Sequence, residues 1–230
     1  MASAKGKTNW FAIWVSVAAV VVIVAVGAAV VFINNASSGP GTAPEASSID
    51  RETGAIAIGD GERTLDTYVD FMCPVCGAFE TTYGPSIEGL VDDGTITLNV
   101  HPISILDRLS SGTDYSTRAA NAMYVVADKH PELALPFLQA MFESQPAENT
   151  EGLTDEQIIA IAEEVGATDV ADGITDGTYA QFVKYITEKT PVQPGQQGIS
   201  TPTIAIDGEV ISNSELTGDP EADLVARFQG

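Results

Sequence analysis

Two cysteines, Cys73 and Cys76, stand three positions apart in Asp70-Phe71-Met72-Cys73-Pro74-Val75-Cys76, and the chain holds no others. A framework of several structural disulfides is therefore impossible. The segment before them, Leu65 to Phe71, is rich in β-formers, whereas Ala78 to Val91 reads as a helix, so Cys73 falls at a helix N-terminus. Unpaired backbone N–H groups and the helix dipole there favour a thiolate, the attacking species in disulfide exchange. Cys76, one turn further in, is placed to resolve a mixed disulfide by attacking the sulfur of Cys73. Three other uses of the pair stay open at this level. A structural disulfide over so short a loop stabilises little. Zinc needs two further ligands, and the only histidines, His101 and His130, match no zinc spacing. Two reduced core cysteines are the third, disfavoured in an oxidising compartment.

The elements around the pair alternate between strand and helix patterns. Ala55 to Ile58 forms a short apolar run closed by Gly59-Asp60-Gly61, the pattern of an edge strand and turn. Thr95 to Val100 alternates, with Ile96, Leu98 and Val100 on one face. Gly84-Pro85 is expected to kink or split the helix after the cysteines. Apolar stripes then mark a block of helices. The first carries Ala119, Met123, Val126 and Ala127, and the second Phe137, Leu138, Met141 and Phe142. Ile158, Ile161, Ala162 and Val165 follow a Thr154/Gln157 capping box, with Gly166 placed to end that helix. Thr178 to Lys189 adds Phe182, Val183 and Ile186. Strand patterns return at Thr203 to Ile206 and Glu209 to Ser212, joined by Asp207-Gly208, and Asp219-Pro220 opens a last helix. Thr201-Pro202 lies where a loop enters the first of these strands, a setting that suits a cis X–Pro bond.

The first 33 residues are a separate object. From Trp10 to Ile33 the only polar side chain is Ser16, and a helix of that length spans the ~30 Å hydrocarbon core of a bilayer. Lys5 and Lys7 precede the run and the next basic residue is Arg51, so the local bias puts the N-terminus in the cytoplasm. The rival reading, a cleaved signal peptide, usually has an apolar core of only ~7–15 residues. Asn34 to Ser48 lacks periodicity and reads as a flexible tether. The expected organisation is a cytoplasmic N-terminus over 1–9, a transmembrane helix over 10–33, a flexible linker over 34–50 and a catalytic domain over 51–230. Formal charge is −22, and beyond Ile33 it is 8 basic against 32 acidic side chains, or −24. Such a surface repels phosphate backbones and excludes nucleic-acid binding through a basic face. Its general effect is solubility outside the membrane.

Taken together, Cys73-Pro74-Val75-Cys76, its strand-to-helix setting, the helical block and Thr201-Pro202 resemble the thioredoxin superfamily. More narrowly, the region from Ala55 to Gly230 looks like the DsbA-like thiol:disulfide oxidoreductases of bacterial envelopes. The resemblance implies an α/β thioredoxin-like fold with an inserted helical subdomain, here Leu106 to about Pro191, preceded by the single transmembrane helix. It implies Cys73 as nucleophile and Cys76 as resolving thiol, with Pro74 and Val75 tuning the thiolate. Thr201 would offer its backbone to an extended client strand, with Pro202 packed against the disulfide. No cofactor beyond the Cys73–Cys76 disulfide and no metal is expected. The partners implied are cysteine-containing secreted or envelope proteins and a membrane redox partner, served by a monomer in the bacterial cell membrane with its catalytic domain outside. Oxidation of clients is the leading direction, with reduction or isomerisation as the alternative. A non-catalytic peptide-binding or chaperone module of the same fold is the second class. Two positions depart from the family pattern. Val75 stands where strong oxidases often carry His, and Thr67 stands six positions before Cys73 where many relatives bury an acid. Asp70 is then the nearest carboxylate for proton handling, against the alternative of a strand-end surface acid.

Overall fold

A computed structural model of the chain describes residues 10–228. It divides into two compact units, 1–39 and 40–230. Within the first, α1 (Trp10–Ser38) is one unbroken helix, and its window Ile13–Val30 has a mean hydropathy of 2.8, long and apolar enough to cross a membrane. Lys5, Lys7 and the proposed cytoplasmic 1–9 lie outside the described residues.

The second unit is built on a five-stranded sheet ordered β1-β3-β2-β4-β5: β1 (Ile56–Ile58), β2 (Arg63–Val69), β3 (Ile96–Pro102), β4 (Thr203–Ile206) and β5 (Glu209–Ile211). Only β2 and β3 run parallel, in the register Leu65 to Leu98 and Thr67 to Val100. A parallel pair needs a crossover, and α2 (Pro74–Asp92) supplies it. Side chains alternate across the sheet, so Leu65 and Val69 of β2 and Ile96, Leu98 and Val100 of β3 face the core. Phe79, Tyr83, Ile87 and Leu90 of α2 join that core. Pro85 lies inside α2 without ending it. Both it and Thr81, whose carbonyl it leaves without a donor, are exposed, so water can take the missing bond.

The inserted helices are α3 (Tyr115–Lys129), α4 (Ala134–Glu143), α5 (Asp155–Glu164), α6 (Ala171–Thr175) and α7 (Ala180–Thr187). The first of them is central, buried from Tyr115 through Ala127 except at Arg118, and packs against α4, α6 and α7. The short α6 has no apolar stripe of its own and escaped the sequence reading. Thr154 and Gln157 form the capping box on α5, and Gly166 adopts φ +98° beyond its end. The hairpin turn Asp207-Gly208 has φ 49° and 80°, the doubly left-handed turn that matches strand twist. The last helical segment begins as a π-turn over Glu221–Val225 and ends in α8 (Ala226–Phe228).

One expected boundary changes. The tether expected over 34–50 is helical to Ser38, and its later part is held in place. The Asp128 carboxylate accepts the N–H groups of Glu45 and Ala46 at 2.6 and 2.7 Å, Pro44 and Ile49 are buried, and Ile49 bridges to Ile56. Small and polar composition concealed this anchoring because the bonds are made by backbone groups.

Candidate active site

The site grows from the end of β2. Phe71 and Met72 are fully buried, and the chain turns there so that the Cys73 N–H donates to the Asp70 carbonyl at 2.9 Å. Cys73 is the N-cap of α2, in extended backbone with φ −77° and ψ 114°. Pro74 occupies the first helical position, where an absent N–H costs nothing. The result aims the unpaired N–H groups of the first turn at the sulfur of residue 73.

Both cysteines are free thiols. Cys73 keeps 6% of its surface open, and Cys76 is sealed. That small window suits one sulfur reached by another along a single line of approach. The Cys73 thiol is lowered to about 6, foremost by a hydrogen bond from the Cys76 thiol. Burial opposes this, and the Thr201 side chain and the N–H groups of Cys76 and Val75 reinforce it. Burial pushes Cys76 well above its ordinary value, and the neighbouring Cys73 sulfur pushes it further. One sulfur is ionised at neutral pH while its partner keeps its proton.

Thr201 and Pro202 meet this pair across the sheet end. The bond between them is cis, and Cys73 Sγ lies 3.5 Å from the Thr201 carbonyl oxygen. The loop is braced from behind: the Pro202 carbonyl accepts from Gln193 Nε2 at 2.9 Å and Asn213 Nδ2 at 2.8 Å. Val75, between the two cysteines, is a large apolar side chain left exposed, at 58% of its surface.

Asp70 is not a surface acid. It is fully buried, and its carboxylate accepts from the N–H groups of Met72, Ile105 and Leu106 and from the Ser116 hydroxyl, all within 3.0 Å. Burial raises it to about 6 against the pull of those four donors. Its carboxylate therefore ties the redox loop to the end of β3 and to α3. Thr67 is buried with its hydroxyl unpartnered. His101 lies between the Thr53 carbonyl (3.2 Å) and Asp66 (2.9 Å) and stacks on Tyr68, which makes it a structural residue of the sheet. His130 caps the end of α3 and contacts the Thr168 carbonyl at 2.8 Å. Among the described residues no His, Cys, Asp and Glu cluster could hold a metal ion.

Two residues near the site were missed from sequence. Glu80, one turn beyond Cys76, lines a cavity of about 380 Å³ with Glu88, Phe142 and Glu143, and burial raises it to about 7. Gln145, just past α4, donates from Nε2 to the carbonyls of Phe71 (3.1 Å) and Cys73 (2.9 Å). No spacing rule points to a glutamine 72 residues beyond Cys73.

A family model described as Thioredoxin matches residues 52–219. The reduced crystal structure of DsbA from Mycobacterium tuberculosis is similar at a TM-score of 0.66 and 31% identity, covering 76% of this chain and 90% of that one. The reduced disulfide bond oxidoreductase DsbG from the same organism gives 0.65 and 32%, covering 85% and 89%. MdbA, a thiol-disulfide oxidoreductase from Actinomyces oris, gives 0.56 and 26%, covering 72% and 81%. Among curated sequences, the serine/threonine-protein kinase PknE of Mycobacterium tuberculosis is 37% identical over 112 residues, 47% of this chain. That match spans about a fifth of the kinase's length, 20%.

Proposed function

The chain belongs to the thioredoxin family as a DsbA-like member, and from that premise we propose that it oxidises cysteine pairs in secreted or envelope proteins through Cys73 and Cys76. The observation that carries this reading is the placement of two thiols one helical turn apart, Cys73 at the helix N-cap 3.5 Å from the Thr201 carbonyl oxygen and Cys76 sealed one turn further in. A client thiolate attacks Cys73 Sγ of the Cys73–Cys76 disulfide. Cys76 leaves and takes up a proton, which its raised thiol holds firmly. The client's second thiolate then attacks its own sulfur in the mixed disulfide and releases Cys73 as a thiolate. Two electrons pass from client to enzyme, one client disulfide forms, and the pair ends reduced.

The leaving group supports this direction. A Cys73 thiol near 6 makes Cys73 a good leaving thiolate and stabilises the reduced pair, which raises the potential of the disulfide. This stabilisation comes from Cys76, Thr201 and backbone N–H groups, so Val75 in place of a histidine does not remove it. Thr201 would pair its backbone with an extended client, as its N–H has no partner among the described residues. Pro74 and Val75 shape the approach, and Asp70 holds the loop. Regeneration of the disulfide falls to an oxidising membrane partner. α1 would be the single-pass anchor, with the N-terminus in the cytoplasm and the domain of residues 51–230 outside.

Equilibration of the purified protein with glutathione buffers tests the direction. A potential well above thioredoxin's ~−270 mV is expected; a value at or below it would make the protein a reductase. Cys73→Ser and Cys76→Ser should fold yet lose turnover, whereas a non-catalytic binding module would keep its function in both.

A further inference from the structure

We propose that Gln145 is a positioning residue for the Cys73 sulfur, acting through the carbonyls of Phe71 and Cys73. This rests on the exchange chemistry proposed above. Both hydrogens of its Nε2 are spent on the redox loop, one on each carbonyl, at 3.1 and 2.9 Å. The Cys73 carbonyl also receives the Gly77 N–H at 3.2 Å, the first intrahelical bond of α2. Gln145 therefore grips the one peptide unit through which the loop becomes the helix.

Its own position is fixed from the inserted subdomain. The Gln145 N–H donates to the Phe142 carbonyl at 3.2 Å, and the Phe142 ring lies 5.0 Å from that of Phe71. The far end of the side chain rests in the space left by a glycine. A Cβ on Gly77 would come within 2.2 Å of Gln145 Oε1 and 3.1 Å of its Cδ. Gly77 has no left-handed backbone conformation to explain a glycine, and a glycine inside a helix is unfavourable relative to alanine. The close approach of Gln145 explains it.

The consequence for the sulfur is geometric. The N–H groups of Val75 and Cys76 that stabilise the thiolate belong to peptide planes immediately following the Cys73 carbonyl. Releasing that carbonyl lets the first turn reorient, and the N–H groups no longer converge on Sγ. The donor amide itself also adds positive charge density at the start of α2, where it favours an anion.

The test is the pH dependence of Cys73 alkylation by iodoacetamide in the reduced, full-length protein in detergent, read by mass spectrometry. Gln145→Met keeps the bulk and removes both donors. Gly77→Ala displaces the same side chain from the opposite side while improving helix propensity. Thr154→Ala, which breaks the capping box of α5, serves as a variant weakened elsewhere. The wild-type midpoint is expected at about 6. Both Gln145→Met and Gly77→Ala should raise it by at least about 0.5 pH unit, about threefold in thiolate stability, and Thr154→Ala should leave it in place. A wild-type midpoint near 6 with either of the two variants unmoved overturns the positioning role and leaves the exchange function standing. A shift in Thr154→Ala of the same size also overturns it, because the midpoint would then track general stability. A wild-type midpoint near that of a free cysteine overturns both readings. Should Gln145→Met fail to fold, Gly77→Ala decides alone.

Discussion

The division of labour between the two sulfurs is set by one helical turn. At the N-cap a sulfur meets N–H groups that have no carbonyl to serve; one turn later the same atom is enclosed by side chains and its anion is desolvated. Cys76 supplies the largest stabilisation of its neighbour's thiolate, so Cys76→Ala should move the Cys73 titration midpoint upward from about 6, measured by thiolate absorbance. Asp70 carries a different linkage. An aspartate in an unfolded chain ionises near ~3.9, whereas this one does so at about 6 in the fold, so the native state holds its proton more tightly. That contribution is complete below about pH 4 and is lost as pH rises through about 6, on the order of 3 kcal/mol. Denaturant unfolding at pH 4 and pH 7 should reveal the loss in wild type. Asp70→Asn should abolish that step, while lowering stability at both pH values because its amide faces N–H donors. An unchanged slope in the variant would assign the pH dependence to other carboxylates.

At the scale of elements, the site exists because three pieces end together. β2 delivers the loop of residues 70–72, α2 begins at Pro74, and β4 begins just after the cis Thr201–Pro202 bond beside β2. The inserted helices do not touch the chemistry through an apolar face alone. They reach it through Ser116 on α3 and Gln145 beyond α4, two polar side chains that satisfy groups of the redox loop. By contrast α5 is held by its own capping box, and Thr154→Ala should cost about 1 kcal/mol in urea unfolding. A measured loss near zero would mean that tertiary contacts, not the cap, hold that terminus. Pro85 illustrates the opposite lesson: a residue that ends helices in isolation is accommodated inside α2, where it and Thr81 are exposed and water can take the missing bond.

For the whole molecule, the second unit has its own continuous core. A chain starting at Pro40 is therefore expected to be water-soluble and to keep the Cys73 midpoint, whereas the full chain should need detergent. Aggregation of the shortened chain, or loss of its thiolate, would show that the first unit contributes to folding. If the anchor is oriented as proposed, a membrane-impermeant maleimide should label Cys73 in intact cells after reduction. Labelling only after lysis would put the domain on the other side. The surplus of 24 negative charges beyond Ile33 acts at this scale too, favouring solubility and disfavouring contact with anionic surfaces.

Composition and local pattern were enough to define the redox pair at a strand-to-helix junction, the apolar helix, the Thr154 cap, the Asp207-Gly208 turn and the Thr201-Pro202 loop. Each of these is written in neighbouring residues, where period, capping and turn chemistry act. What required the folded molecule was everything that depends on groups distant in the chain. The burial of Asp70, the capture of residues 45 and 46 by Asp128, and the grip of Gln145 on the Cys73 carbonyl belong to this kind. A polar side chain looks alike in sequence whether it meets water or a backbone amide. Only three-dimensional packing brings the distant backbone group within reach and turns a hydrophilic letter into a joint between segments.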